Sequence, residues 1–181
     1  VVHDRGPEGR GWLEAFLTAA PDDSPSRAKA LVAAGDLAER QGDSETAAAW
    51  LDEAAELAHA SGDRAREAAA SRVRGNVSIS LGEAARDRLI DPELAAAEFA
   101  RAEALLNRSL ALASEIGDAW GMAKARHWLA ILPLERWEHE RAMAELEIAL
   151  GEFRRIGDHR QVCMVVGNLG SVAEQAGDYD R

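Results

Sequence analysis

The side chains best suited to binding chemistry are five donors at helical spacing. Arg72 and Asn76 are four residues apart, and Lys124 and His127 are three apart, so each pair shares a face if its segment is helical. Lys29 joins them because it lies six residues before Gly35 in the repeat described below, as Lys124 lies six residues before Ala130. Cationic and amide donors hold carboxylates or the backbone carbonyls of an extended peptide. We therefore predict a binding site for a protein or peptide at these five residues, with a solvated polar face as the alternative.

The sequence contains no catalytic or metal-binding pattern. Its five histidines are scattered and form neither an HExxH pair nor the Cys/His spacing of a zinc site. Cys163 lies in the apolar segment Val-Cys-Met-Val-Val without a neighbouring histidine, which predicts a buried, inert thiol. No GxxxxGK[ST] phosphate-binding loop is present. We therefore expect no enzymatic activity, no metal site and no cofactor.

Composition favours an all-α, cytoplasmic protein. Hydrophobic residues make up 47% of the 181 residues, and many of these are alanine, the best helix former, while aromatic residues are only 5%. The net charge of -11 argues against direct binding of nucleic acid. A single cysteine indicates a reducing compartment, and no apolar run approaches the ~18 residues of a membrane span. Because the chain begins with Val1 rather than methionine, we expect it to be a piece of a longer protein.

A recurring Gly-Asp dipeptide marks an internal repeat. Glycine adopts the left-handed conformation just past a helix, and aspartate caps the start of the next, so each dipeptide predicts a turn between helices. Between these marks, apolar and small residues recur 3, 4 and 7 positions apart, as on one face of a helix. The dipeptide occurs at 42–43, 62–63, 117–118, 157–158 and 177–178, which gives intervals of 20, 55, 40 and 20 residues.

Two columns of residues recur when the copies are aligned. A glycine inside a helix costs about 1 kcal/mol relative to alanine, so a recurrent one indicates a neighbouring helix packed too closely for a side chain. One helix of the unit contributes a small residue and the other a leucine. The small column consists of Gly35, Gly75, Ala130 and Gly170, and the leucine column of Leu51, Leu106 and Leu146.

These columns resemble the tetratricopeptide repeat (TPR). Leu169-Gly170 in a first helix, and Ala142, Leu146 and Ala149 in a second helix, match the small-residue signature of that family. The period of 40 residues is similar to the long variety found in bacterial STAND ATPases and in LuxR- or MalT-like transcriptional regulators. The resemblance implies an all-α fold, an α-solenoid of stacked antiparallel hairpins wound into a right-handed superhelix.

The repeat divides residues 1–181 into hairpins of a single TPR-like domain. The repeat at 64–117 exceeds the period by 15 residues, and the excess near 83–97 predicts a protruding hairpin tip, with a contact to a partner as the alternative to a structural elaboration. We predict a second helix of a preceding repeat at 8–20, repeats at 26–62, 64–117 and 119–157, and the first helix of a further repeat at 159–177.

Two prolines predict where neighbouring helices begin or end. Asp91-Pro92 has the form of a helix cap followed by proline in the first turn. Pro133 is expected to end or kink the helix before it. We expect Trp128 and Trp137 to pack in the core next to that break.

The family resemblance also implies a function. First helices of such repeats line a concave groove that binds peptides or proteins. Modules of this family that clamp a C-terminal carboxylate have a lysine where Arg72 stands and an asparagine like Asn76 one turn on; Lys124 matches a further donor, and Trp128 replaces another.

The expected function is therefore that of a protein- or peptide-binding scaffold and sensor module in a larger cytoplasmic signalling or transcriptional regulator. Its partners would be an acidic or carboxylate-bearing protein segment and other domains of the parent chain, with no membrane. Two alternatives are a superhelix that senses a small-molecule inducer through Trp120, Trp128 and Trp137, and a module for homo-oligomerisation.

Overall fold

The structure is a computed structural model that describes residues 6–19, 25–87, 91–136 and 138–177. Within these ranges every regular element is a helix, which confirms the all-α fold expected from the alanine-rich composition. None of these helices combines the length and the apolar character needed to cross a bilayer. The elements are α1 (Gly6–Ala19), α2 (Pro25–Arg40), α3 (Ser44–Ser61), α4 (Arg64–Asp87), α5 (Pro92–Glu115), α6 (Ala119–Leu129), a 3₁₀ helix (Leu132–Arg136), α7 (His139–Ile156) and α8 (His159–Ala176).

The Gly-Asp dipeptides are turns, as predicted. All five glycines, at 42, 62, 117, 157 and 177, have φ between 71° and 82°, the left-handed region that a side chain disfavours. Asp43, Asp118 and Asp158 each accept a hydrogen bond from the backbone N–H three residues on, at 3.3, 2.9 and 3.0 Å. Each of the first four dipeptides thus ends one helix and begins the next. Asp178 lies outside the described residues.

Consecutive helices pack side by side and run antiparallel. Glu67, near the start of α4, contacts Arg108, near the end of α5. Every helix packs on the next one in the chain, and α4 also packs on α2 and α6. We call α2, α4, α6 and α8 the first helices, and α1, α3, α5 and α7 the second helices.

The glycine column allows the close packing that its spacing predicts. A Cβ atom at Gly35 would lie 2.6 Å from Leu51 Cγ, and one at Gly75 would lie 2.7 Å from Leu106 Cγ. Both leucines are fully buried. In these two hairpins, α2–α3 and α4–α5, the second helix therefore inserts its leucine where the first helix lacks a side chain, and this contact sets their register.

Helices α4 and α5 are longer than the two helices before them. Helices α4 and α5 have 24 residues each, whereas α2 and α3 have 16 and 18. The Asp91 side chain accepts a hydrogen bond from Leu94 N at 2.9 Å with proline in the first turn, which confirms the predicted cap. Residues 88–90, between the two helices, are outside the described ranges.

The break at Pro133 shortens α6. The helix ends at Leu129, after 11 residues, and Pro133 lies in the 3₁₀ helix that follows. Trp128, expected in the core, packs against a core cluster that includes Leu106 and Leu132, and it is half-buried because it also lines a cavity described below. Trp137 is not among the described residues.

The first and second helices differ in charge. The first helices carry eleven lysines and arginines against six aspartates and glutamates. The second helices carry six basic residues against fourteen acidic ones. The acidic character of the chain therefore resides mainly on the second helices.

Candidate functional site

The first helices surround a cavity of about 960 Å³. It arises because first helices pack on one another as well as on their second helices, so that their remaining faces converge. All four first helices contribute to its wall. Its lining includes Lys29, Val32, Asp36, Arg72, Asn76, Trp120, Lys124, Trp128, Ile131, Gln161, Met164 and Asn168.

Four of the five predicted site residues share this cavity. Lys29 comes from α2, Arg72 and Asn76 from α4, and Lys124 from α6. The sequence places these residues up to 95 positions apart, and the packing of first helix on first helix brings them together.

His127 does not reach the cavity, and its prediction as a groove residue needs correction. Its side chain is fully buried, 5.1 Å from the Trp128 ring and 6.3 Å from the Phe153 ring between ring centres. Three residues after Lys124, a helix has turned short of a full revolution. The imidazole therefore points into the packing between α6, α7 and α8 instead of into the groove.

The Arg72 guanidinium is a cation with little compensation. Its central carbon lies 4.9 Å from the centre of the Trp120 ring, a cation–π contact. Among the described residues it makes no hydrogen bond or ion pair, and Asp36 and Asp118 act on it only through space. Burial lowers the pKa of Arg72, and these two carboxylates oppose that effect. Its N–H donors are thus available to a ligand.

Lys124 is a second buried cation in the same wall. The residue is 7% exposed, its Nζ donates a 2.7 Å hydrogen bond to Gln161 Oε1, and Nζ lies 5.0 Å from the centre of the Trp128 ring. Burial, together with repulsion from Arg72, lowers its pKa from 10.5 to about 8. An ammonium group has three donors, and one amide oxygen leaves the charge unneutralised.

Two carboxylates that line the cavity, Asp36 and Glu39, are engaged with other residues. Asp36 forms an ion pair with Arg40 at 3.0 Å. Glu39 accepts hydrogen bonds from Ser44 at 2.8 Å and from Ser80 at 2.6 Å. An anion entering the cavity would therefore meet Arg72 and Lys124 without displacing a bonded carboxylate from either.

Two amides on α8 complete the wall, and the sequence analysis missed both. Lys124 donates to the oxygen of Gln161, which leaves the Gln161 NH₂ group as a donor. Asn168 Nδ2 lies 2.8 Å from His127 Nε2, which leaves the Asn168 oxygen as an acceptor. Gln161 and Asn168 are seven residues apart, which places them on one face of a helix, so helical spacing within α8 was the signal that could have found them.

A hydrogen bond to the buried His127 orients the Asn168 side chain. Burial, assisted by the Lys124 charge, lowers the pKa of His127 from 6.5 to about 4, so the imidazole is neutral at pH 7. A neutral imidazole accepts at one nitrogen, here Nε2, from the Asn168 amide. The residue predicted as a ligand-binding donor thus acts through another side chain.

The described residues contain no group of three or more histidine, cysteine, aspartate or glutamate side chains placed to hold a metal ion. No protein-family model matches the chain, and no curated protein matches it significantly. The groove geometry itself must therefore carry the functional argument.

Proposed function

We propose that this chain is a protein-binding module, an α-solenoid of tetratricopeptide type whose groove captures an extended segment carrying an acidic or carboxylate group. The observation that carries the proposal is the pair Arg72 and Lys124, two cations in one cavity wall to which no carboxylate of the described residues is bonded. A desolvated charge without a partner is unfavourable, so an external anion gains more here than at a solvated surface.

The surrounding groups suit a polypeptide ligand. The Gln161 NH₂ and the Asn168 oxygen, seven residues apart on α8, supply one donor and one acceptor along the same wall. Asn76 faces the cavity from α4 with a further amide. An extended peptide presents alternating N–H and C=O groups that such amides bind, while the cations select for negative charge.

The resemblance of the sequence repeat to long tetratricopeptide arrays supports the further proposal that this module belongs to a larger cytoplasmic regulator of STAND or LuxR type. In such a host, ligand capture changes activity only if the groove has a different affinity in the host's two states. The groove then acts as the sensor, and neighbouring domains of the parent chain carry the response.

The direct test uses peptides of defined charge as probes. We expect fluorescently labelled hexaglutamate to bind more tightly than hexaglutamine or hexalysine in anisotropy titrations. Arg72→Gln and Lys124→Met should each weaken hexaglutamate binding by about tenfold or more, since a hydrogen bond to a charged group is worth about 1.5–3 kcal/mol. Neutralising substitutions are preferable to the double charge reversal of Arg72 and Lys124, because glutamate at position 124 would be a buried carboxylate.

The matched control is the double variant Arg154→Gln/Arg155→Gln. Both arginines are exposed near the end of α7 and do not line the cavity, yet their loss changes the net charge at least as much. Equal loss of hexaglutamate binding in this variant and in the groove variants would show general charge attraction and overturn the proposal. Circular dichroism melts should establish that all variants are folded.

A second candidate function is the sensing of a small molecule. It is favoured by the two indoles of Trp120 and Trp128, which line a cavity within the size range of ligand pockets. A small ligand seated there would change the intrinsic fluorescence of both tryptophans. Titration with small carboxylic acids, with Trp120→Phe and Trp128→Phe to assign the signal, distinguishes this function from peptide capture.

A further inference from the structure

The chain contains two lysines, and both line the cavity between the first helices. Lys29, on α2, is exposed to solvent, whereas Lys124, on α6, is 7% exposed. A cavity of about 960 Å³ admits small molecules to its wall, so the amine of Lys124 is desolvated and can still be reached. The two side chains therefore compare a solvated amine with a desolvated one in the same cavity.

The surroundings of Lys124 disfavour its charged form. Burial has the largest effect, the charge of Arg72 acts in the same direction, as do those of Arg160 and Arg40, and Asp36 opposes them. Together they lower the pKa of Lys124 from 10.5 to about 8. At pH 7 about one tenth of these amines is therefore neutral, against less than about one thousandth for an unperturbed lysine.

The contacts of Lys124 leave its nitrogen able to act as a nucleophile. Nζ donates a 2.7 Å hydrogen bond to Gln161 Oε1 and lies 5.0 Å from the centre of the Trp128 ring. A neutral amine that donates an N–H to an acceptor directs its lone pair away from that acceptor. No carboxylate of the described residues is bonded to Nζ, so no ion pair holds it in the ammonium form.

Arg72 adds a preference for negative charge. Its guanidinium lies 4.9 Å from the centre of the Trp120 ring, and no carboxylate of the described residues is bonded to it. Its positive charge acts on Lys124 in the same cavity wall. An anionic carbonyl compound is therefore attracted to the region where the neutral amine lies. A 2-oxo acid combines the carbonyl group that an amine attacks with the carboxylate that this charge favours.

We propose that Lys124 is a covalent binding site for a small 2-oxo acid, whose carbonyl carbon bonds to Nζ while the charge of Arg72 attracts its carboxylate. The lone pair of the amine attacks the carbonyl carbon, and the resulting carbinolamine loses water to give an imine. The oxygen of that water comes from the carbonyl group, and both hydrogens come from the amine. The reaction needs no oxidant or reductant, and water reverses it, which suits a sensor.

The inference goes beyond peptide capture, because the bond to Lys124 forms whether or not the groove also holds a polypeptide. Two other nucleophiles of the chain serve as internal comparisons. Lys29 has the same amine without the burial. Cys163, whose thiol the sequence predicted to be buried, is exposed and does not line the cavity. A thiol adds to a carbonyl group but cannot form an imine.

The test traps the imine in the folded chain. At pH 7 the chain is incubated with glyoxylate, the smallest 2-oxo acid, and with sodium cyanoborohydride, whose hydride reduces the imine to a stable carboxymethyl amine. Mass spectrometry of proteolytic peptides then gives the rate of modification at each lysine. We expect Lys124 to react at least about tenfold faster than Lys29, because more of it is neutral.

Modification of Lys124 at the same rate as Lys29, or more slowly, would overturn the proposal. In urea, where the cavity is lost, the two rates should become equal. A preference for Lys124 that persists in urea would come from the neighbouring sequence and would also contradict the proposal.

A neutral aldehyde tests the part played by Arg72. Acetaldehyde has the two carbons of glyoxylate without its charge. Arg72→Gln should lower the ratio of the glyoxylate rate to the acetaldehyde rate at Lys124 by about tenfold, since an interaction with a charged group is lost. The matched control is Arg154→Gln, an exposed position of α7 outside the cavity lining, which should leave the ratio unchanged.

An unchanged ratio in Arg72→Gln would exclude a 2-oxo acid as the preferred ligand. The acetaldehyde rate by itself reports the amine without any anion, so a failure here is distinguishable from a failure of the hexaglutamate titrations.

Arginine substitutions check the site at equilibrium, without the hydride. Lys124→Arg keeps the positive charge and removes the nucleophile, and Lys29→Arg is its matched control. The change in tryptophan fluorescence on addition of glyoxylate, reported by the nearby Trp128, should be absent in Lys124→Arg and retained in Lys29→Arg. Circular dichroism melts should establish that both variants are folded. A fluorescence change that persists in Lys124→Arg would show that glyoxylate acts elsewhere and would contradict the proposal.

Discussion

The two sides of α4 each carry an arginine, and the two arginines have opposite surroundings. On the side packed against α3 and α5, the Arg74 guanidinium is buried and surrounded by acceptors: Asp52 at 3.1 Å, Ser78 at 2.6 Å and Glu98 at 3.7 Å. On the side that faces the cavity, Arg72 lies on the ring of Trp120 and has no bonded carboxylate among the described residues. The two arginines are separated by a single residue.

The difference separates structural charge from charge available for binding. A buried cation whose acceptors come from the same chain stabilises that chain only while all partners are present. A cation left without carboxylates contributes little to folding, and its unused donors are free for an outside anion. The predictions below test this distinction, beginning with the largest expected effect.

Removal of the paired arginine should be far more damaging than removal of the unpaired one. Arg74→Leu leaves the Glu98 carboxylate buried, and we expect a loss of about 3 kcal/mol in the free energy of unfolding. Arg72→Gln should lower it by only about 0.5–1 kcal/mol, because the contact that it breaks is the cation–π contact with Trp120. Urea titrations followed by circular dichroism provide the measurement. Similar losses in the two variants would erase the contrast between the two sides.

Glycines sharpen the same comparison without any charge. Gly75→Ala places a methyl group 2.7 Å from Leu106, and overpacking of about 1–3 kcal/mol outweighs the helical gain of about 1 kcal/mol. Gly151→Ala meets no neighbour and should instead gain up to about 1 kcal/mol. We expect the midpoints of thermal unfolding to move in opposite directions. Stabilisation by both substitutions would mean that the α4–α5 contact is looser than the structure indicates.

Because of Lys124 in the cavity wall, the free energy of unfolding should depend on pH in the alkaline range. Because its pKa is lowered from 10.5 to about 8, the folded chain releases this proton first as pH rises. Between about pH 8 and 10.5 the unfolded state binds more protons, so the free energy of unfolding rises with pH by at most about 1.4 kcal/mol per unit.

The variant Lys124→Met should lack this rise, measured as the urea midpoint against pH. Below pH 8 it should be at least as stable as the parent chain, since an uncompensated buried charge is absent. The control is Lys29→Met, which removes the exposed lysine of the same groove. A profile for Lys124→Met that runs parallel to the parent's would show that Lys124 is better solvated than its burial implies.

The smallest expected effect concerns the hydrogen bond between Asn168, which lines the cavity, and the buried His127. Asn168→Ala removes the hydrogen bond to His127 and should reduce stability at pH 7 by about 1 kcal/mol. The difference from the parent should shrink toward pH 4, where His127 takes up a proton and can no longer accept at Nε2. Thermal melts at both pH values measure it, with the exposed Asn107→Ala as control. A difference that is constant with pH would argue against a neutral acceptor at His127.

Local features of the fold were predictable from the sequence because neighbours in the chain decide them. The turns at the Gly-Asp dipeptides and the cap at Asp91 depend on the conformation of one or two residues. The close approach of Leu51 to Gly35 was also predictable. A glycine inside a helix is unfavourable, so its recurrence at a fixed spacing indicates a tightly packed neighbouring helix.

The errors concern burial, which is a property of the surroundings. Cys163 lies in an apolar segment, yet it is exposed because nothing among the described residues covers that side of α8. His127 belongs to a polar pair by spacing, yet it is enclosed by Trp128, Phe153 and Asn168. Neither outcome can be read from the residue's own helix.

The sequence by itself determined the helices, their ends and the positions at which they approach one another, because these follow from helical periodicity and from the conformational range of glycine. Only the tertiary structure decided which donors meet. It placed Arg72 and Lys124 in one wall, with no carboxylate bonded to either among the described residues, and it turned His127 away from them. The reason is that charge compensation depends on distances between helices, which no spacing within a helix specifies.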